Sequence, residues 1–246
     1  MSLRMRDIRG QVAVITGASS GIGAAAARAL HAEGMQVVLA ARNRERIQAL
    51  ARELGDGALA LPTDVGDAAQ VGALFDQVKQ RFGGLDLLCN NAGVGYHGAF
   101  EHGDVEQWKA TIDTNLWGVL HCTRAAIGLM RGREGAMINT VSSVGGRRGV
   151  EGWAVYCATK FAVVGLHDTL RKELGPQGIR VSLIEPGSVY TEWGYNVPAE
   201  QMKARRDSVQ ALHAEDIAQA LLWAFAQPAH VNALESLILP TRQVAL

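Results

Sequence analysis

Val12-Ala-Val-Ile15-Thr16-Gly17-Ala-Ser19-Ser20-Gly21-Ile22-Gly23, with the alanine-rich run that follows to about Glu33, reads as a strand, a tight turn and a helix. Val12 to Ile15 is a short run rich in β-branched residues, suited to a strand covered on both faces. Gly17, Gly21 and Gly23 crowd the turn, where a missing Cβ lets the backbone approach a pyrophosphate at a helix N-terminus. The spacing Gly-x3-Gly-x-Gly differs from the Gly-x-Gly-x2-Gly of the commonest dinucleotide folds, so by itself it also fits a simple tight turn. No Gly-Lys-Ser/Thr follows, which removes a nucleoside triphosphatase loop from consideration.

Outward from this unit the chain keeps alternating. Gly34 closes the first helix, and Val37 to Ala40 makes a second strand ahead of a charged helix from about Arg44 to Leu54. Ala58 to Leu61, Leu85 to Cys89, Gly135 to Val141, Arg180 to Ile184 and Leu234 to Leu239 supply five more strands. Helices are expected from an Asp67 N-cap to Phe82, from about Val105 to Met130, from Tyr156 to Leu174 and from Ile217 to Phe225. Strands separated by helices require crossovers, hence an α/β fold with a parallel sheet and helices on both faces. With no repeats, linkers or low-complexity segments, residues 1–246 form a single domain.

Composition narrows the function classes. Apolar residues are 48% and charged residues 20%, as in ordinary globular proteins. Twenty-four basic residues balance twenty-four acidic ones, which argues against a nucleic-acid partner or an anionic membrane partner. Cys89, Cys122 and Cys157 are scattered through apolar segments and read as buried thiols, with no spacing for a metal site. No apolar run reaches the length of a membrane span, and the N-terminus lacks a signal-peptide core. Residues 1–8 are read as a leader or N-terminal arm, with Met1 to Leu3 a cloning leader ahead of Met5. The expected location is cytoplasmic.

Ser143, Tyr156 and Lys160 carry the chemistry. A helix starting at Tyr156 places Lys160 one turn on, over the same face. A phenol titrates near pH 10 and is a poor base at neutrality, whereas a nearby ammonium favours the phenolate. Lowering such a pKa by about three units needs about 4 kcal/mol of differential interaction. Ser143 would hydrogen-bond the substrate oxygen. A surface Tyr–Lys pair is the plain alternative.

The glycine turn, Asn90-Asn91-Ala92-Gly93, Asn115, Ser143, Tyr156, Lys160 and Pro186-Gly187-Ser188-Val189-Tyr-Thr191 occur in this order. Together they resemble the short-chain dehydrogenase/reductase family over about residues 9 to 240. The resemblance implies a Rossmann-type, doubly wound, seven-stranded parallel sheet that binds NAD or NADP. It assigns Gly17, Ser19, Ser20, Gly21, Ile22 and Gly23 to the cofactor turn, Asp64 and Val65 to an adenine contact, and Asn91, Ala92 and Gly93 to the ribose loop. Pro186, Gly187, Val189 and Thr191 would hold the nicotinamide. Asn115 would kink a helix and hold a relay water, while Ser143, Tyr156 and Lys160 take the catalytic roles, Tyr156 and Lys160 also touching cofactor. Members of this family assemble as homotetramers or homodimers, so the same is expected here. Trp117 and Phe161 are read chiefly as core positions, with a subunit contact as the alternative.

The second strand ends in Ala41-Arg42, with alanine where an NAD site wants a carboxylate for the ribose 2′-hydroxyl. Arg42 can meet a 2′-phosphate instead, so NADP(H) is preferred to NAD(H). Ser20 stands where many NADP-preferring relatives carry a basic residue. The substrate pocket is expected from Ser143, Val144, Trp153, Ser188 and Trp193, with Tyr195 nearby and residues 188–213 as a mobile lid. Arg147 and Arg148 are candidate carboxylate ligands or solvated charges, and His97 a rim or capping residue. The expected activity is interconversion of a secondary alcohol and a ketone. Similarity of the tail Pro228 to Pro240 to enzymes of small 3-hydroxy acids is a weak pointer to substrate. The rival reading is an NADP-binding redox sensor or scaffold with little turnover.

Overall fold

A computed structural model describes residues 5–244 of the chain. Seven strands form one wholly parallel sheet: β1 Val12–Thr16, β2 Gln36–Ala41, β3 Ala58–Pro62, β4 Leu87–Asn90, β5 Met137–Val141, β6 Arg180–Pro186 and β7 Glu235–Ile238. Their order is β3-β2-β1-β4-β5-β6-β7. The chain leaves β1 toward β2 on one side and returns to place β4 on the other, pairing Ile15 with both Leu39 and Cys89. This reversal of direction opens a crevice at the carboxyl ends of β1 and β4, the place where such sheets bind ligands.

The described residues hold eight α-helices: α1 Gly21–Ala32, α2 Arg44–Leu54, α3 Ala68–Phe82, α4 Val105–Ile112, α5 Gly118–Met130, α6 Ala154–Leu174, α7 Ala199–Val209 and α8 Ala214–Phe225. One face of the sheet packs on α1 and α8 through Ala26, Leu30, Leu221 and Phe225. The other packs on α3 and α5 through Leu74, Val78, Cys122 and Met130. Residues of β1, β5 and β6 are buried throughout, although β5 and β6 carry polar residues such as Asn139, Ser182 and Glu185, whereas the edge strands β3 and β7 are partly exposed. Asp67 caps α3 by accepting from the amides of Ala69 and Gln70.

Several boundaries differ from the sequence reading. The helix expected over 105–130 is broken by a π-turn at Asp113–Trp117, which carries Asn115. Such an inserted residue leaves no signature in apolar spacing, but it falls where the family resemblance expects Asn115 to kink the helix. Helix α6 begins at Ala154, two residues before Tyr156. Trp117 and Phe161 are 50% and 47% exposed, so neither is a core residue. Both fall on helical positions whose spacing fits burial, but they face away from the sheet. Met1 to Leu3 lie outside the described residues. The arm just after them is anchored: Ile8 is buried and Arg6 donates to the carbonyls of Glu134, Gly135 and Phe225. Cys89, Cys122 and Cys157 are all buried and unpaired, and burial pushes the Cys89 and Cys122 thiols up to about 12.

Candidate active site

Thr16 and Gly17, at the end of β1, set the floor of the crevice. Gly17 has φ +66°, and a Cβ there would come within 2.8 Å of the Ala92 backbone, so only glycine lets the two turns meet. Asn91 locks the contact by donating from its side chain to the carbonyls of Thr16 and Gly17 at 2.9 and 3.3 Å. The Thr16 hydroxyl accepts from the Asn91 and Ala92 amides, each at 3.0 Å. Thr16 stands in the sequence only as the start of the glycine turn, and its hydroxyl's role as acceptor for the Asn91 loop is visible only in the fold. Ser20, at the N-cap of α1, makes no capping bond with its side chain, which leaves the first-turn amides to an anion.

The cleft above this floor encloses about 1000 Å³ and runs from Arg42 to Trp193. It is lined by all the residues expected to touch cofactor or substrate except Gly23. Gly23 is instead a packing position, where a Cβ would press to 2.4 Å from the Gly17 carbonyl. Arg42 is exposed at one end, forms no ion pair among the described residues, and has no carboxylate at the tip of β2 beside it. Asp64 accepts from the Gly66 amide and shapes the turn after β3.

At the other end Ser143 follows β5, while Tyr156 and Lys160 stand one turn apart on α6. The Lys160 ammonium lies 5.7 Å from the Tyr156 ring and donates to the Val141 carbonyl at 2.7 Å. Burial lowers the Lys160 pKa to about 8. Burial raises that of Tyr156, a hydrogen bond with Ser143 opposes the rise, and Cys157 adds to it. The Ser143 hydroxyl also accepts from the Gly145 amide at 3.0 Å. Asn115 is buried behind the pair, bonded through its side chain to both backbone groups of Val94 and to Thr159. A half-buried phenol beside a buried hydroxyl and a buried ammonium forms a group able to exchange a proton with a bound oxygen atom.

The short chain dehydrogenase family model matches residues 11–202. The chain belongs to that family. An uncharacterized oxidoreductase of Staphylococcus aureus (strain MW2) is 37% identical over 239 residues, 96% of this chain and 100% of that one. A serine dehydrogenase in its closed form, complexed with NADP+, is 31% identical with a TM-score of 0.88 over 92% of this chain and 94% of that one. A 3-ketoacyl-(acyl-carrier-protein) reductase from Brucella melitensis, complexed with NADH, is 30% identical with a TM-score of 0.87 over 96% and 100%.

In this short-chain dehydrogenase the arginines after Ser143 are not carboxylate ligands of the cleft. Arg147 donates to both oxygens of Glu185 at 2.7 to 2.9 Å, and also to Glu235. The Glu185 side chain is fully buried, and these bonds hold the Arg147 pKa above its ordinary value. The pairing joins residues 38 and 88 positions apart in sequence, which no local spacing announces. Arg148 is exposed and does not line the cleft. His97 caps no helix; its ring packs edge-on against Trp153 at 5.3 Å.

Over Tyr156 the dehydrogenase carries an aromatic wall. Trp153 and Trp193 stack at 5.1 Å, and the Trp193 ring is 4.7 Å from that of Tyr156. Tyr195 stacks on Tyr96 at 5.2 Å, and a backbone bridge ties the two loops: the Tyr195 amide donates to Gly95 and the His97 amide to Tyr195. Helix α7, within residues 188–213, buries none of its side chains.

Proposed function

We propose that this short-chain dehydrogenase is an NADP(H)-dependent oxidoreductase interconverting a secondary alcohol and a ketone. The carrying observation is the convergence of Ser143, Tyr156 and Lys160 at one end of a single cleft whose other end presents unpaired Arg42. The fit to a dinucleotide rests on the floor. Gly17 to Ile22 offer close backbone and free helix amides for a pyrophosphate, and Asp64, Val65 and Asn91 to Gly93 flank the adenosine half. Pro186, Gly187, Val189 and Thr191 line the nicotinamide half. Arg42 would hold a 2′-phosphate by charge-assisted bonds, which supports NADP(H) over NAD(H).

Bound there, the cofactor supplies or accepts the hydride. Ser143 orients the substrate oxygen. Tyr156, kept protonated by burial, gives it a proton in reduction and takes one in oxidation. Lys160 stabilises the phenolate by its charge and holds the ribose, while Asn115 fixes the turn behind them through Val94. Residues 188–213 serve as lid over a pocket built from Ser143, Val144, Trp153, Ser188 and Trp193. Trp117 and Phe161, half exposed on neighbouring helical segments, support pairing of subunits into a homodimer or homotetramer.

Tyr156→Phe tests the reading. It should bind NADPH as wild type does, by nucleotide fluorescence, yet lose about 10³-fold in turnover of a carbonyl panel. Full turnover by that variant would overturn the assignment. A wild-type protein that binds NADPH but turns over no member of the panel would favour a sensor or scaffold.

A further inference from the structure

Several cations of the cleft and of the turn after Ser143 are engaged elsewhere. Arg147 is held by Glu185 and Glu235, Arg206 donates to the Trp193 carbonyl at 2.8 Å, and Arg46 pairs with Glu192 at 2.6 Å. Lys160 is bonded to Val141 beneath the phenol. Arg205 and Arg242 also line the cleft, but both are exposed. A substrate carboxylate beside Tyr156 would lie against indole rings and Val144 with no buried partner, a costly placement for a charge.

Trp193 occupies a place that another flat ring can fill. Its indole lies 4.7 Å from the Tyr156 ring and stacks on Trp153 at 5.1 Å, so it fills the part of the cleft where a ring on the substrate would lie. A Cβ on residue 95 would come within 2.6 Å of Trp193 and 3.1 Å of Trp153, so Gly95 is what admits the indole this deeply. The chain just after it turns through φ +106° at Gly194 and +63° at Asn196, two conformations suited to a pivot. When the indole leaves, Trp153 loses its one stacked partner and Tyr156 its nearest ring, while the edge contacts of Trp153 with His97 and Tyr156 remain. An incoming ring restores the lost contacts; a small aliphatic acid restores none.

We propose, resting on the oxidoreductase reading above, that this site takes neutral ketones bearing an aromatic or equally flat cyclic group, whose ring replaces Trp193 against Trp153 and Tyr156. Trp153 is then the specificity-determining wall and Trp193 the displaced plug.

The test compares kcat/KM with saturating NADPH for acetophenone, 4-acetylbenzoate, 2-butanone and acetoacetate. Acetophenone should exceed 2-butanone, and also its carboxylated analogue, by about tenfold or more each. Trp153→Leu should narrow the acetophenone to 2-butanone ratio to about threefold or less, whereas a purely structural role would lower both alike. If 2-butanone or acetoacetate is reduced as well as acetophenone, or 4-acetylbenzoate as well as acetophenone, the inference is overturned and the oxidoreductase reading stands. If none of the four is reduced with NADPH or NADH, both fall.

Discussion

The floor and the roof of the cleft are held by different means. Every floor residue sits at or just beyond the carboxyl end of a strand, fixed by the register of seven strands and by buried bonds such as those of Asn91 and Asn115. The roof is tied on by a backbone bridge at Tyr96 and Tyr195, the stack of those rings, the Trp193 contacts, and exposed bonds from Glu192 to Arg46 and from Asn196 to Gln107. Its helix, α7, contributes no buried side chain. Chemistry that needs sub-ångström placement thus rests on the rigid part, and substrate entry on the part whose local opening costs least.

Substitutions can sharpen or break that contrast. The largest effect belongs beneath the floor. Arg147→Met leaves the Glu185 carboxylate buried without its partner, and stability should fall by about 3 kcal/mol in urea unfolding. Turnover should fall with it, because the Arg147 guanidinium ties the turn after Ser143 to β6 and β7 through Glu185 and Glu235. A variant as stable as wild type would show that the ion pair is not part of the foundation.

Lys160 gives a pH signature of the same burial. Its pKa is about 8 in the folded protein, against an ordinary 10.5. Between those values the unfolded chain holds a proton that the folded chain lacks, so wild-type stability rises with pH across that window. Lys160→Met should be the more stable protein at pH 7, and its advantage should shrink by pH 10 in paired melting curves. An advantage constant with pH would mean that the ammonium is not desolvated.

Arg42→Asp, at the exposed rim of the floor, should leave stability within about 0.5 kcal/mol. It should lower the NADPH over NADH preference by tenfold or more, since one charge-assisted bond is worth about 1.5–3 kcal/mol. Unchanged NADPH kinetics would remove Arg42 from the cofactor site. The smallest effect is expected in the roof: Tyr195→Ala should cost under about 1 kcal/mol of global stability. A larger loss would mean that the lid is part of the core.

The same division explains what the sequence disclosed. The glycine turn, the strand-end Ala41-Arg42 and the Tyr156–Lys160 pair are local and so visible in the sequence, although their spacing alone also fits a tight turn and a surface pair, and the family resemblance supplies their roles. The strands were legible because the central ones, covered on both faces, are mostly apolar and alternate with helical stretches. What stayed hidden is joined across distance: the Thr16–Asn91 lock, the grip of Arg147 on Glu185 and Glu235, and the bridge between Gly95 and Tyr195. Trp117 and Phe161 were misread because helical spacing says which residues share a face, not which face meets the sheet. Gly23 was assigned to the cofactor because a missing Cβ serves close packing and ligand approach alike.

The buried cysteines give this architecture a clock. A thiol held near pKa 12 is thiolate in only about one molecule in 10⁵ at pH 7, and it is shielded from reagents besides. Cys89, on β4 at the sheet's reversal point, can therefore be alkylated at a measurable rate only when the crevice floor opens. Its labelling under native conditions counts those openings, and any dinucleotide that seats on the floor should slow the count in proportion to its binding.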